Sequence, residues 1–274
     1  MSEIVTTESM REAFAGILAS YSLEREGRRE RGERGTGPTL VVADVRVPQE
    51  LWTVLRDLRT RHVTISGVVL LTRQMTGIAQ IVEAISSELR QRVSAFDSDN
   101  IADIRRIVRA HQLGAQDQLI AAAKVVGKEI WVTGCNLQLY RVQKACVPAL
   151  KELSDAQLSK FEINESGSRI HWAEGDVDLS LRDFRYFADE DYRREVDKET
   201  RASMKSYGKA IKKLRKKLKL RQQDIEKRTG LSEREVRRIE KGEVQPHSAT
   251  LDKLAAAHEM NLSEYLSSLA NYDG

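Results

Sequence analysis

The 274-residue sequence predicts an α+β protein built in pieces: an N-terminal α/β region, a small α/β module and a C-terminal all-α domain of five helices. Three observations carry this. Between residues 40 and 126, β-branched runs are interleaved with amphipathic stretches, the order of a small α/β domain. From residue 129 short strand-like segments are separated by turn residues. From Tyr207 onward, apolar residues recur at helical spacing in short segments punctuated by Gly230 and Gly242.

Residues 1–23 are expected to hold a short helix that uses Met10, Phe14, Ile17 and Leu18, and residues 24–38 are charged, Gly-rich and aperiodic, the composition of a flexible linker. Leu40 to Val47 reads as a strand, with Val41, Ala43, Val45 and Val47 on one face and Asp44 and Arg46 on an exposed one. Pro48 opens a helix to about Arg59, and His62 to Thr72 is a second strand. The start of this region, Val45 to Leu51, resembles the strand-to-helix opening of ribbon-helix-helix repressors, but the β-branched stretch after it suits a second strand better than a second helix. Ile78 to Val93 reads as an amphipathic helix with Ile78, Ile81, Val82, Ile85 and Leu89 on one face. Asn100 to Leu113 and Gln116 to Val126 read as two more helices.

Two strands, Ile130–Thr133 and Leu137–Val142, flank a Gly134-Cys135-Asn136 turn. A short helix capped by Ser154 follows, then a hairpin of Phe161–Asn164 and Ser168–Trp172 across Glu165–Gly167. Asp189 to Ser206 is highly charged, with Tyr192, Val196, Thr200 and Met204 every four residues, which predicts a linker helix or a dimer-contact helix. The expected segments are 1–38, an α/β domain at 39–127, a module at 128–188, a linker helix at 189–205 and an all-α domain at 206–274.

The stretch Val147, Pro148, Leu150, Leu153, Ser154, Ile170, His171, Trp172, Asp176, Asp178, Leu179, Ser180 resembles the family of domain of unknown function 2442, a small α/β module found in bacteria. Ala173 stands where that family often has Pro. The resemblance implies a strand, a polar turn and a helix start across residues 170–180. His171, Asp176, Asp178 and Ser180 invite a catalytic reading, but Ser180 or Asp178 as a helix cap, with Trp172 packed, accounts for them better, so no catalytic residue is assigned and the chain is read as a non-enzyme.

The C-terminal segment carries Gln222 to Gly242 as two short helices around a turn at Gly230, with Ser232 and Glu235 spaced as a capping box and Gly242 where the second helix should stop. Together with Leu214, Arg215, Leu220, Ile225, Val236, Ile239, Glu240, Pro246, Leu251 and Leu254, these residues resemble the Cro/CI repressor-type helix-turn-helix family, which implies a lambda-repressor-like five-helix domain. Glu226 stands where the family usually has Ala, and Arg221 where it has a Ser or Thr cap. Both imply a looser or differently charged contact between the two helices.

The resemblance implies an Arg215–Glu240 pair and a recognition helix from about Glu233 to Lys241. Glu233, Arg234 and Arg238 are then expected at base edges, and Gln222, Ser232, Arg237, Lys241 and Lys216 at the DNA backbone. Charge agrees: residues 198–274 hold 18 basic and 11 acidic residues, a surplus of seven, in a chain of net charge +4.

The expected partners are therefore double-stranded DNA with an inverted-repeat operator, a second copy of the chain as homodimer, and a cognate protein partner. The module family's members beside small toxin-like genes imply an autoregulating antitoxin as well as a repressor. Two further readings stand beside this: an enzymatic or ligand- or nucleotide-sensing 39–127 domain tethered to DNA, and a protein-recruiting adaptor. Cys135 and Cys146 lack metal-ligand spacing and read as free thiols. No metal or cofactor is expected. Without an apolar signal core or an apolar run near the ~20 residues of a membrane span, the protein is expected in the cytoplasm.

Overall fold

The computed structural model describes residues 3–6, 39–73, 78–89, 92–97 and 100–271. The expected linker and most of the expected N-terminal helix lie outside these. The chain forms two compact units, residues 1–189 and 190–274.

In the first unit, strands β1 (Glu3–Thr6), β2 (Thr39–Asp44), β3 (Ile65–Thr72) and β4 (Val93–Asp97) make an all-parallel sheet in the order β1-β2-β3-β4. Helix α1 (Pro48–Thr60) links β2 to β3, and α2 (Ile78–Leu89) precedes β4. Parallel pairing needs such crossovers, and it places helices over the sheet. Val41, Ala43, Val68 and Leu70 pack with Leu51, Leu55 and Leu58 of α1 and Ile85 of α2. On the opposite face Leu40, Val42, Val69 and Leu71 pack with Ile104, Ile107 and Val108 of α3 (Ile101–Leu113).

Burial on both faces explains why β2 and β3 are almost continuously apolar. It also corrects the reading of Asp44 as exposed: its residue is 3% exposed, and its carboxylate is held by the Arg46 side chain. That guanidinium, foremost by hydrogen bonding, keeps the Asp44 pKa below the ordinary carboxylate range.

The rest of the unit is two small antiparallel sheets. One holds β5 (Ile120–Val126), β6 (Glu129–Gly134) and β7 (Leu139–Gln143); the other holds β8 (Glu162–Ile163), β9 (Ile170–Trp172) and β10 (Val177–Leu179). Helix α4 (Asp155–Leu158) is capped by Ser154, and α5 (Leu181–Ala188) begins at Ser180, whose N–H and hydroxyl both donate to Asp183. Trp172, Phe184, Ile130, Val132, Tyr140 and Leu150 fill the shared core.

The turn after β6 inserts into the first sheet's core. Leu137 packs there at a φ of 63°, Ser94 Oγ donates to Leu137 O at 3.1 Å, and His111 Nε2 lies 3.1 Å from Cys135 O. Burial lowers the His111 pKa and pushes the Cys135 thiol up to about 12, so the imidazole is neutral and the thiol inert.

The described residues of the second unit form five helices: α6 (Glu190–Lys217), α7 (Gln222–Thr229), α8 (Glu233–Glu240), α9 (Ser248–Ala257) and α10 (Leu262–Ala270). The expected linker helix and first domain helix are thus one 28-residue helix. Ile211, Leu214, Ile225, Val236, Ile239, Leu254 and Tyr265 form the core.

Two contacts fix α8 against α6. At the first, α8 ends in a Schellman motif: Gly242, at φ 69°, donates to Ile239 O at 2.9 Å and Glu243 N–H to Arg238 O at 2.9 Å. Gly208 of α6 meets this turn backbone to backbone, and a Cβ there would lie 2.5 Å from Ile239 O and 2.8 Å from Glu240 O.

At the second, Arg215 and Glu240 form a buried two-pronged pair, with Arg215 Nη2 to Glu240 Oε2 at 2.9 Å and side chains 9% and 2% exposed. Arg215 Nη1 also donates to Leu220 O at 2.7 Å, and Gln222 Nε2 to Glu240 Oε2 at 2.7 Å. Nε and both terminal nitrogens of Arg215, and both Glu240 oxygens, are thereby engaged, as a buried ion pair requires to be tolerated.

Gly208→Ala should lower the urea midpoint of the C-terminal unit, with a loss of about 1–3 kcal/mol of stability, because backbone, not a flexible side chain, must give way. An unchanged midpoint would show that α6 can move off α8 freely. Glu240→Ala should cost about 3–5 kcal/mol by leaving the Arg215 charge buried and alone. Removing an exposed partner, as in Arg194→Ala beside Glu190, should cost about 0.5 kcal/mol or less in the same unfolding experiment.

Candidate nucleic-acid interface

The interface is built by α7, the Gly230 turn and α8. Ile225 on α7 and Leu231, Val236 and Ile239 are buried, so the intervening residues of α8 must face outward. Gly230 takes a φ of 72°, which lets the chain reverse without a Cβ clash. Its N–H donates to Glu226 O at 2.8 Å, closing α7. Glu226 itself is exposed.

Helix α8 starts on a reciprocal cap. Ser232 Oγ accepts from Glu235 N–H at 3.2 Å, while Glu235 Oε2 accepts from Ser232 N–H at 2.9 Å and its hydroxyl at 2.7 Å. These bonds to Ser232, the side-chain one foremost, lower the Glu235 pKa. Arg221 has no side-chain acceptor, so only the return half of a cap forms at α7: Asp224 Oδ2 accepts from Arg221 N–H at 2.7 Å.

Glu233, Arg234, Arg237 and Arg238 of α8 are exposed, and so are Lys241 and Lys216. Arg234 and Arg237 have no carboxylate partner among the described residues. Arg238 Nε lies 3.9 Å from Glu243 Oε2, and Lys241 Nζ 3.5 Å from Glu243 Oε1. Glu243, one residue past the helix stop, thus draws two cations of this face toward itself. Sequence reasoning did not single it out, because its role depends on the Schellman turn that folds it back.

An open hollow of about 640 Å³ lies between the end of α6, the start of α7 and α8, lined by Lys212, Arg221, Gln222, Glu233, Arg237 and Lys241 among others. The structure brings Gln222, Glu233, Arg237 and Lys241 to this one hollow. Arg215 and Glu240 form its floor. Gln222 has its side-chain amide committed to Glu240, and Ser232 has its hydroxyl proton committed to Glu235.

Elsewhere, His171 Nδ1 lies 3.1 Å from Asp178 Oδ1 on the outer side of β9 and β10. Asp176 occupies a left-handed turn position at φ 48°, and Ser180 is engaged by Asp183. The carboxyl ends of β2 and β4 carry Asp44 and Asp97, at the edge where open α/β sheets take ligands. Asp44 is tied to Arg46. No helix among the described residues is long and apolar enough to cross a membrane.

Residues 211–265 match the model of the helix-turn-helix family, and residues 129–187 match the family described as a protein of unknown function, DUF2442. No curated protein matches the chain. The C-terminal segment is a Cro/CI-type helix-turn-helix joined in one chain to a DUF2442 module, and this supports a DNA-binding regulator.

Proposed function

We propose that the protein is a sequence-specific transcription regulator, a repressor or autoregulating antitoxin-like protein, that reads DNA with α8. The observation that carries this is the outward row of α8: Glu233 and three arginines, exposed beside the capping Glu235 on a helix whose other face is locked to α6 through the Arg215–Glu240 pair. A guanidinium held on a rigid helix can meet guanine O6 and N7 in two-pronged fashion. In this reading Glu233, Arg234 and Arg238 face base edges, and Glu233 accepts from cytosine N4 or excludes the wrong base.

Gln222, Ser232, Arg237, Lys241 and Lys216 meet the backbone, positioning without specifying. Because the Gln222 side chain is held by Glu240, its contact falls to the backbone N–H groups at the start of α7, where the helix dipole favours phosphate. Ser232 contributes once its hydroxyl turns from Glu235 to the phosphate. Glu243 releases Arg238 and Lys241 as DNA replaces it.

One short helix covers too few base pairs to select a site, so the protein acts as a homodimer on an inverted repeat, with half-sites about 34 Å apart. The short edge strands of the 129–188 module are the favoured contact across the twofold axis, and the Tyr192, Val196, Met204 stripe of α6 is the second.

Arg234→Ala and Arg238→Ala should each weaken the preferred site by about 1–3 kcal/mol more than random DNA, while Lys216→Ala should weaken both alike. Equal losses on both DNAs for the arginine variants would move the reading face elsewhere. Sedimentation should find the full chain dimeric and a chain lacking residues 1–188 monomeric. A monomeric full chain, or a fragment that dimerises as tightly as the whole, would refute this placement of the interface.

A further inference from the structure

The outer face of the β5–β6–β7 sheet carries a feature that the helix-turn-helix does not use. Register places Lys124, Trp131 and Arg141 side by side on three neighbouring strands. Lys124 Nζ lies 4.9 Å from the indole centroid and the Arg141 guanidinium carbon 4.3 Å. Both cations are exposed and neither meets a carboxylate among the described residues. The next row is Val126, Glu129 and Gln143. Glu129 accepts from Trp131 Nε1 at 2.8 Å and from Gln143 Nε2 at 2.7 Å, so its oxygens serve neutral donors.

These bonds fix the indole, and the fixed indole orders the two cations by cation–π attraction. Ordered cations lose little freedom when an anion arrives. Lys128, in the turn between β5 and β6, extends the positive charge beyond the row and is exposed.

We propose that this sheet face is a second contact for double-stranded DNA, in which Lys124, Arg141 and Lys128 take backbone phosphates. The occupant is argued from charge. The face presents unpaired cations, and the DNA proposed for α8 is a polyanion already brought to the same molecule. The inference rests on that reading for its ligand but not for its residues. The contact is sequence-independent, because it is made by point charges and a guanidinium rather than by donors and acceptors set against base edges. It steepens the salt dependence without altering which site is chosen.

The test uses the full chain, its Lys124→Gln/Arg141→Gln variant and its Arg234→Ala/Arg238→Ala variant, each titrated with a mixed-sequence duplex at several salt concentrations. Each phosphate contact contributes about 0.9 to the slope of log affinity against log salt, so the sheet variant should be shallower by about two. Its ratio of specific to random binding should stay at the wild-type value.

In a Trp52→Phe background, leaving Trp131 and the buried Trp172, duplex should change the indole fluorescence, salt should reverse the change, and the sheet variant should abolish it. The same change in the Arg234→Ala/Arg238→Ala chain would support the sheet contact even if the recognition helix were misassigned. A wild-type slope and ratio in the sheet variant would overturn the proposal while leaving α8 as the reading helix. A fluorescence change with polyglutamate but not with duplex would overturn it too, in favour of an acidic protein on this face.

Discussion

The Arg215–Glu240 pair, with Gln222 as its third member, is the interaction on which the DNA-binding unit depends. It joins the ends of three helices at one buried point. Arg215 comes from α6, Gln222 from the first turn of α7 and Glu240 from the last turn of α8. Two charges taken out of water are costly unless each is satisfied. Here Arg215 also serves Leu220 O, so the link between α6 and α7 is set by the same guanidinium. The pair therefore fixes both the angle of α8 and the floor of the basic hollow beside it. Gly208 and Gly242 allow this, because only a backbone without Cβ lets α6 approach the α8 terminus closely enough for Arg215 to reach.

The surface charges around that point behave differently. Arg238 and Lys241 sit about half or more exposed beside Glu243, where solvent screening leaves an ion pair worth little. Such a contact holds the side chains near the helix without holding them against DNA. A rigid buried pair beneath and loose exposed pairs above suit a surface that must be presented in one geometry yet exchange its partners.

Much of this was legible in the sequence because the C-terminal signals are local. Ser232 and Glu235, Gly230 and Gly242 each act within a few residues, and all four sit where their spacing places them. Arg215 and Glu240 were legible only through family resemblance, since 25 residues separate them. Gly208 carried no local signal, because its need arises from the α8 terminus rather than from its own helix.

The N-terminal unit shows the reverse. The Ala-rich stretch ending at Val126 suggests helix by propensity, but Ile120–Val126 is a strand, because pairing with β6 overrides a weak local preference. Glu3–Thr6 is likewise a strand, recruited by parallel pairing with β2 more than 30 residues away. The helix expected to reach Val93 is described over Ile78–Leu89, and Val93 begins β4, whose partner is β3. The first of these is a hairpin, with Val126 opposite Glu129, whose ladder outweighs local propensity; the other two are pairings across long sequence distance, which no window of neighbouring residues contains.

In the function proposed, α8, held by the buried pair, selects a DNA sequence. Selection of duplexes from a random pool by the full chain tests it most directly. An inverted repeat whose half-sites lie about one helical turn apart should be enriched. Recovery of duplexes with no shared sequence, at an affinity that depends on salt alone, would contradict it.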